Sequence, residues 1–217
     1  MTIHHKKLFI FLGIFIIVLG AFLVRAFQSS LAITTQSTDT PLFSANPIAI
    51  AIQPTDQVLG NPGAPLTIIE FTDLGNADAR ALHETFSNFV KKHPRDARLI
   101  FKHAPVYHFF SDTVLAHQAA YCAGKQNKLW NFLDALINNN NLRESGLRAS
   151  ATTAGIDINN WWICTNSVET QQAVQKDLTE AQSLQAGKPP LIFINNKQLN
   201  ILKGIDITQL LTSLIQP

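Results

Sequence analysis

Two side chains of this sequence can do sulfur chemistry, Cys122 and Cys164. The 41 residues between them exclude a Cys-x-x-Cys motif, and no nearby pair of histidines completes a zinc-ligand set. Two cysteines cannot build a disulfide framework, but they can form one bridge. Two separate buried thiols are the alternative, because free cysteine is often a core residue.

Four histidines lie in the middle of the chain, and their spacings match no metal-ligand motif. They are His83, His103, His108 and His117. Scattered histidines of this kind are usually surface residues or satisfied core residues. No Ser–His–Asp order, phosphate-binding loop or nucleotide fingerprint is present. The sequence therefore predicts no metal site and no cofactor.

The overall charge excludes one class of partner. The formal net charge is +2, and no cluster of lysine and arginine goes beyond short pairs. Nucleic-acid binding needs a basic patch or stripe, so we predict no nucleic-acid partner. A hydrophobic fraction of 46% with 15% charged residues fits a globular domain with additional apolar sequence elsewhere.

The elements that can position chemistry are a strand, a sharp turn and a helix. Residues 66–73 form a nearly continuous apolar run with β-branched side chains, which is typical of a buried strand. Gly75 and Asn76 break this run, and apolar residues then recur at helical spacing from Ala77 to Val90. The turn lies at a helix N-terminus, where free N–H groups and the helix dipole can activate a side chain. It contains no nucleophile, and Asn76 is predicted to be the N-cap.

A long apolar run near the N-terminus predicts a transmembrane anchor over residues 8–27. Lys6 and Lys7 precede this run, so residues 1–7 are expected in the cytoplasm and the remainder outside it. A cleaved signal peptide is the alternative, with Ser30-Leu31-Ala32 as the cleavage site. Residues 28–55, rich in Ser, Thr, Gln and Pro, are predicted to be a linker.

The order of the remaining elements predicts an α/β fold. The strand, the helix and a second buried strand at residues 98–102 form a βαβ unit, so the two strands should be parallel. A helical insert follows at about residues 111–186. A hairpin with its turn at Asn195-Asn196 and a closing helix after Gly204 complete the chain.

This order and several local patterns resemble the DsbA-like branch of the thioredoxin fold, over a domain spanning residues 56–217. The residues that carry the resemblance are the entrance and first core strand (56–73), Ala119–Trp130, Trp161-Trp-Ile-Cys164, and Ser183–Asn196. The resemblance implies a thioredoxin fold with an inserted helical subdomain.

The sequence departs from this family at the strand-to-helix turn. Family members place Cys-x-x-Cys there, whereas this chain has Asn76, Ala77, Asp78 and Ala79. Thiol–disulfide exchange requires a thiolate and a second, resolving thiol. We therefore predict that the usual site is redox-inactive.

The resemblance also implies a peptide-binding groove. Pro190 aligns with the family's cis-proline, which presents backbone to an extended peptide, and an X–Pro bond tolerates the cis form. Pro189 removes one N–H that could bond a guest strand. The candidate groove residues are Asn76, Ala77, Asp78, Pro189, Pro190 and Leu191. The alternative is that Pro189-Pro190 merely begins an edge strand.

Three further residues receive roles from the resemblance. Glu70 matches a buried acid that assists proton transfer in the family, and without thiols it is expected to pair with a cation or face water. Lys102 on the neighbouring strand is the candidate cation. Cys122 and Cys164 occupy places where family members often have a structural bridge between insert helices.

Two functional hypotheses follow, with a third that is purely structural. The first is a single-pass inner-membrane protein of bacteria, with its domain in the periplasm, that binds or scaffolds an envelope protein or extended peptide. The second is a thiol–disulfide oxidoreductase or isomerase-like envelope folding factor. The third is a scaffold within an envelope complex that does not use the groove.

Overall fold

The structure is a computed structural model that describes residues 41–106 and 112–216. The predicted anchor at 8–27, its leading residues 1–7 and the first part of the predicted linker lie outside the described residues. Within the described ranges, no helix has both the length and the apolar character needed to cross a membrane.

Five described strands form one mixed sheet in the order β1-β3-β2-β4-β5. The strands are β1 (Gln57–Gly60), β2 (Leu66–Thr72), β3 (Ala97–His103), β4 (Leu191–Ile194) and β5 (Lys197–Leu199). β2 and β3 are parallel, as the βαβ prediction requires, and the other neighbouring pairs are antiparallel. The hairpin turn lies at Asn195 and Asn196, whose φ values of 46° and 67° suit a tight β-hairpin.

Seven helices occur in the described residues. They are α1 (Ala77–Lys92), α2 (Thr113–Lys125), α3 (Leu129–Asn139), α4 (Glu144–Thr153), α5 (Ile158–Thr165), α6 (Val168–Ser183) and α7 (Ile207–Ile215). Side chains of Asp157, Ser167 and Asp206 accept hydrogen bonds from the first-turn N–H groups of α5, α6 and α7. The predicted thioredoxin-like α/β fold with a helical insert, α2–α6, is confirmed.

Alternation along β2 separates two layers of core, because successive side chains point to opposite faces. Ile68 packs with Phe86 and Val90 of α1, and Ile207 and Leu211 of α7 lie in the same cluster. On the other face, Ile69 and Phe71 belong to a cluster that includes Ala181 of α6. The insert has its own core around the fully buried Trp161.

The segment from Pro41 to residue 55 packs on the domain, whereas the sequence had included it in a linker. Leu42 accepts a hydrogen bond from the N–H of Asn200 at 2.8 Å, and the Ser44 N–H donates to Gln198 at 2.9 Å. Ile50 is only 8% exposed. These contacts cover the edge of β5, which would otherwise present unpaired backbone groups, and the compact unit begins at Pro41.

Candidate functional site

The turn after β2 is a capped helix start. Asn76 Oδ1 accepts hydrogen bonds from the N–H groups of Asp78 at 2.8 Å and Ala79 at 3.2 Å. The prediction that Asn76 is the N-cap is confirmed. Its side chain satisfies two N–H groups at the positive end of the helix dipole and offers no nucleophile or electron carrier.

Contacts with α2 hold this turn in place. The Gly75 N–H lies 2.9 Å from Asp73 Oδ1 and 3.0 Å from Thr113 Oγ1, and the Thr113 hydroxyl donates to Asp73 Oδ1 at 2.5 Å. A Cβ on Gly75 would lie 2.8 Å from Thr113 Oγ1, so any larger residue would push α2 away. Asp73 and Thr113 are 2% and 1% exposed, so these hydrogen bonds are shielded from water.

Two buried histidines extend this network away from the turn. The Leu74 N–H donates to His117 Nε2 at 3.0 Å, and the Nδ1 atoms of His117 and His103 lie 3.1 Å apart. Because Nε2 accepts this hydrogen bond, the proton of the neutral His117 ring is assigned to Nδ1, and Nδ1 then donates to His103. Burial lowers the pKa of both rings, well below the ordinary value for His103, and outweighs the opposing effect of Asp73 on His117.

The Pro189–Pro190 peptide bond is cis. Leu191 pairs with Phe71 in the antiparallel β2–β4 register, so the proline pair lies at the same end of the sheet as the capped turn. Pro189 and Leu191 also line an apolar cavity of about 240 Å³ together with Pro105 and Leu178. Asn76, Ala77 and Asp78 do not line this cavity, so the structure places the two halves of the predicted groove side by side without joining them in one pocket.

Glu70 is fully buried, and its partner is His83 of α1. Glu70 Oε1 and His83 Nδ1 form a short hydrogen bond, and the His83 ring stacks parallel to Trp130. Glu70 Oε2 and His83 Nε2 have no hydrogen-bond partner among the described residues. The prediction that Lys102 pairs with Glu70 is wrong, because successive side chains of β3 alternate and Lys102 points to the opposite face of the sheet from Phe101, which contacts His83.

Lys102 instead joins the start of the domain to α6. Its ammonium lies 3.1 Å from Asp56 Oδ2 and 2.9 Å from Glu180 Oε2, and its side chain is 1% exposed. Burial alone would lower the pKa of Lys102, but these two carboxylates outweigh burial and raise it. Burial also raises the pKa of the neighbouring Asp177 to about 6, although the His103 N–H donates to Asp177 at 3.0 Å.

Both cysteines of the chain are in one disulfide. Cys122 of α2 and Cys164 of α5 are bonded, with their Cα atoms 5.8 Å apart, so the expected bridge between insert helices is present. Cys122 is 1% exposed. The hydroxyl oxygen of Thr170 lies 3.3 Å from Cys122 Sγ and 3.5 Å from Cys164 Sγ. The sulfur of this chain is therefore held in the helical insert and away from the turn after β2.

Sequence reasoning did not find the buried and half-buried polar residues that lie around the turn and the sheet edge. Asp73, Asp177 and Glu180 belong to no motif, and their partners are 40 to 78 residues distant along the chain. The only sequence signal for these residues is that a polar side chain occupies a position that the helical or strand pattern predicts to face the protein interior. No cluster of His, Cys, Asp or Glu in the described parts of the chain is arranged to hold a metal ion.

Comparison with known proteins agrees with this geometry. A family model described as Thioredoxin matches residues 53–211. A thioredoxin-like oxidoreductase from Silicibacter pomeroyi superposes with a TM-score of 0.64 at 23% identity, covering 75% of this chain and 91% of that one. The thiol-disulfide exchange protein alpha-DsbA2 from Wolbachia pipientis also gives 0.64, at 16% identity and 74% and 86% coverage.

Two further similarities differ in what they cover. A periplasmic thioredoxin-like protein from Salmonella enterica serovar Typhimurium superposes with a TM-score of 0.59 at 17% identity, covering 75% of this chain and 89% of that one. The Na(+)/H(+) antiporter NhaA 1 of Mycolicibacterium gilvum is 25% identical over 150 residues, which are 66% of this chain but only 24% of the antiporter. The superpositions show that the helical insert follows the DsbA-like fold, and the turn lacks Cys-x-x-Cys. The match of the family model over most of the sequence shows that this chain belongs to the thioredoxin family.

Proposed function

We propose that this protein is a membrane-anchored, periplasmic DsbA-like domain that binds an extended segment of an envelope protein without redox chemistry at the turn. The observation that carries the proposal is the pairing of a capped, sulfur-free turn at Asn76 with an apolar cavity beside the Pro189–Pro190 loop, at the same end of the sheet. The turn lacks the sulfur that exchange needs, and the neighbouring loop offers a place for an apolar side chain of a peptide.

The argument against redox activity rests on sulfur. Exchange begins with attack of a thiolate on a disulfide, and a second thiol must resolve the mixed disulfide. Asn76 and Ala79 supply neither. The one disulfide, Cys122–Cys164, has a buried sulfur at Cys122 and bonds two helices of the insert, which is the environment of an inert structural bridge.

The argument for peptide binding rests on the loop before β4. Pro189 and Pro190 have no N–H groups, so a guest strand would bond mainly to carbonyl groups of this loop. The apolar cavity beside it, about 240 Å³, has room for one guest side chain of the size of leucine or phenylalanine. An apolar pocket next to a proline pair that offers only carbonyl groups is suited to an extended segment with one anchoring side chain.

Anchoring and location are supported by the sequence. The apolar run at 8–27 is long enough to span a bilayer, and Lys6 and Lys7 favour a cytoplasmic N-terminus. The domain would then lie in an oxidising compartment, where the Cys122–Cys164 bridge persists.

A photo-crosslinking experiment tests the binding proposal. A photoreactive residue at Lys188, which lines the cavity, should capture a discrete envelope protein in intact cells, and one at Asp78 should capture the same protein. Lys203 is an exposed lysine outside the cavity lining and serves as the matched control. Capture that is equal at Lys188 and Lys203, or absent at both, would contradict the proposal.

The alternative function is that of a thiol–disulfide oxidoreductase. The names of structurally similar proteins, an oxidoreductase and a thiol-disulfide exchange protein, favour it. Insulin reduction by the purified full-length chain, compared with a Cys122→Ser, Cys164→Ser variant, separates the two. Our proposal expects background turnover from both. Turnover that depends on these cysteines would overturn the redox-inactive assignment, whereas crosslinks at Lys188 would still report on binding.

A further inference from the structure

A second cavity, of about 490 Å³, opens at the β1–β3 edge of the sheet. β1 begins at Gln57 opposite Phe101, so the last two residues of β3 extend beyond it. The cavity lies at this uncovered edge, between β3, the start of β1, α2 and α6. Its lining includes Asp56, Phe101, His103, Tyr121, Lys176 and Asp177.

Asp56 and Asp177 give the inner wall of the cavity two carboxylates. Asp56 and Glu180 both contact the buried ammonium of Lys102, and Asp177 is close enough to all three for their charges to affect its ionisation. Asp177 itself makes no ion pair among the described residues. The pKa of Asp177 is raised to about 6. Burial is the main cause of this rise, and the negative charges of Asp56 and Glu180 contribute to it.

His103 places a hydrogen-bond donor on the same wall. It is 6% exposed, it lines the cavity, and its Nδ1 faces His117. Because Nδ1 accepts from His117, the proton of the neutral ring is on Nε2, which has no hydrogen-bond partner among the described residues. The His103 backbone N–H donates to Asp177 Oδ2 at 3.0 Å. One ring donor and one acidic acceptor therefore line the same cavity.

The remaining walls are apolar inside and basic at the rim. Phe101, Tyr121 and Leu129 supply aromatic and aliphatic surface, and Lys125 and Lys176 supply two ammonium groups. Lys125 is half exposed, 3.3 Å from the exposed Glu169, and Lys176 is exposed. A ligand that fits needs an ammonium for Asp177, a carboxylate for His103 and the lysines, and an apolar side chain.

We propose that this cavity binds a free α-amino acid with an apolar side chain. An α-amino acid carries an ammonium and a carboxylate, which suits a cavity lined by Asp177 together with His103 and two lysines. Its side chain would pack against Phe101 and Tyr121. This proposal does not depend on the peptide-binding function, because the cavity shares none of its lining residues with the one beside Pro189.

Calorimetric titration of the purified full-length chain tests the ligand chemistry. L-Phenylalanine and L-leucine should bind saturably. Phenethylamine, which lacks the carboxylate, 3-phenylpropionate, which lacks the ammonium, and phenylalanine methyl ester should each bind at least about tenfold more weakly, the loss expected for one charge-assisted hydrogen bond. Absence of saturable binding by both amino acids, or equal binding by the three analogues, would overturn the proposal.

Variants test the site. Asp177→Asn should weaken phenylalanine binding at least about tenfold, and Ala173→Phe, which fills the cavity, should abolish it. Glu84→Gln changes an exposed carboxylate of α1 outside the cavity and should leave binding unchanged. If Asp177→Asn does not fold, as judged by circular dichroism, the exposed Lys176→Ala variant replaces it and should also weaken binding. Unchanged binding in the folded variants would refute the assignment.

Discussion

The buried pair between Glu70 of β2 and His83 of α1 gives the sharpest test of how this domain is stabilised. The two side chains are 0% and 1% exposed, and each already has one polar atom without a partner among the described residues. Replacing Glu70 alone by Leu leaves His83 with no partner in an apolar environment. Breaking a buried pair in this way costs about 3–5 kcal/mol of unfolding free energy, and His83→Leu should cost a similar amount.

The double variant Glu70→Leu, His83→Leu should be more stable than the sum of the two losses predicts. With both polar groups removed, no unpaired group remains, and apolar replacements of a buried pair are often neutral. We therefore expect a coupling energy of about 2 kcal/mol or more in a double-mutant cycle. Urea unfolding followed by tryptophan fluorescence is the assay, since Trp130 stacks on His83.

The exposed pair between Lys91 and Asp134 is the matched control. It has an N–O distance of 2.7 Å, but its side chains are 37% and 45% exposed. Solvent screens such a pair, so the same cycle with alanine should give a coupling energy below about 1 kcal/mol. Additive losses at Glu70 and His83, or single losses no larger than those at the control pair, would refute the reasoning.

Three further outcomes are expected. Replacing Cys122 and Cys164 by Ala should lower the free energy of unfolding by about 4 kcal/mol in the chain-entropy estimate, measured in urea, because the bridge closes a long loop in the unfolded chain. Asn76→Ala should cost about 1 kcal/mol by the loss of two hydrogen bonds at the start of α1, measured by thermal melting, whereas Asn76→Asp should retain the cap. Asp177 has a folded pKa of about 6, above that of the unfolded chain, so the folded state binds its proton more tightly. Stability should therefore fall as pH rises from about 4 to about 6, and Asp177→Asn should flatten this fall.

A different result would contradict each of these three predictions. A cysteine-free variant as stable as the oxidised wild type would contradict the loop-closure argument. An Asn76→Ala variant as stable as wild type would mean that water replaces the cap. An unchanged pH profile for Asp177→Asn would assign the pH dependence to another group.

Local pattern was sufficient for the elements and for much of the turn. A strand repeats its side-chain direction every two residues and a helix about every 3.6 residues. The apolar run at 66–72 and the apolar spacing after Ala77 therefore show in the sequence which faces of the strand and the helix are buried. The Asn76 cap was predictable because capping joins residues two or three positions apart. The absence of sulfur at the turn is likewise a property of the residues alone.

The sequence determined the family, the order of elements and the loss of cysteines at the turn. The tertiary structure decided the pairs: His83 with Glu70, Lys102 with Asp56 and Glu180, and His117 with His103. A buried polar group takes whichever partner the packing of distant elements brings within about 3 Å. That choice depends on strand register and helix placement, and no spacing along the chain records it.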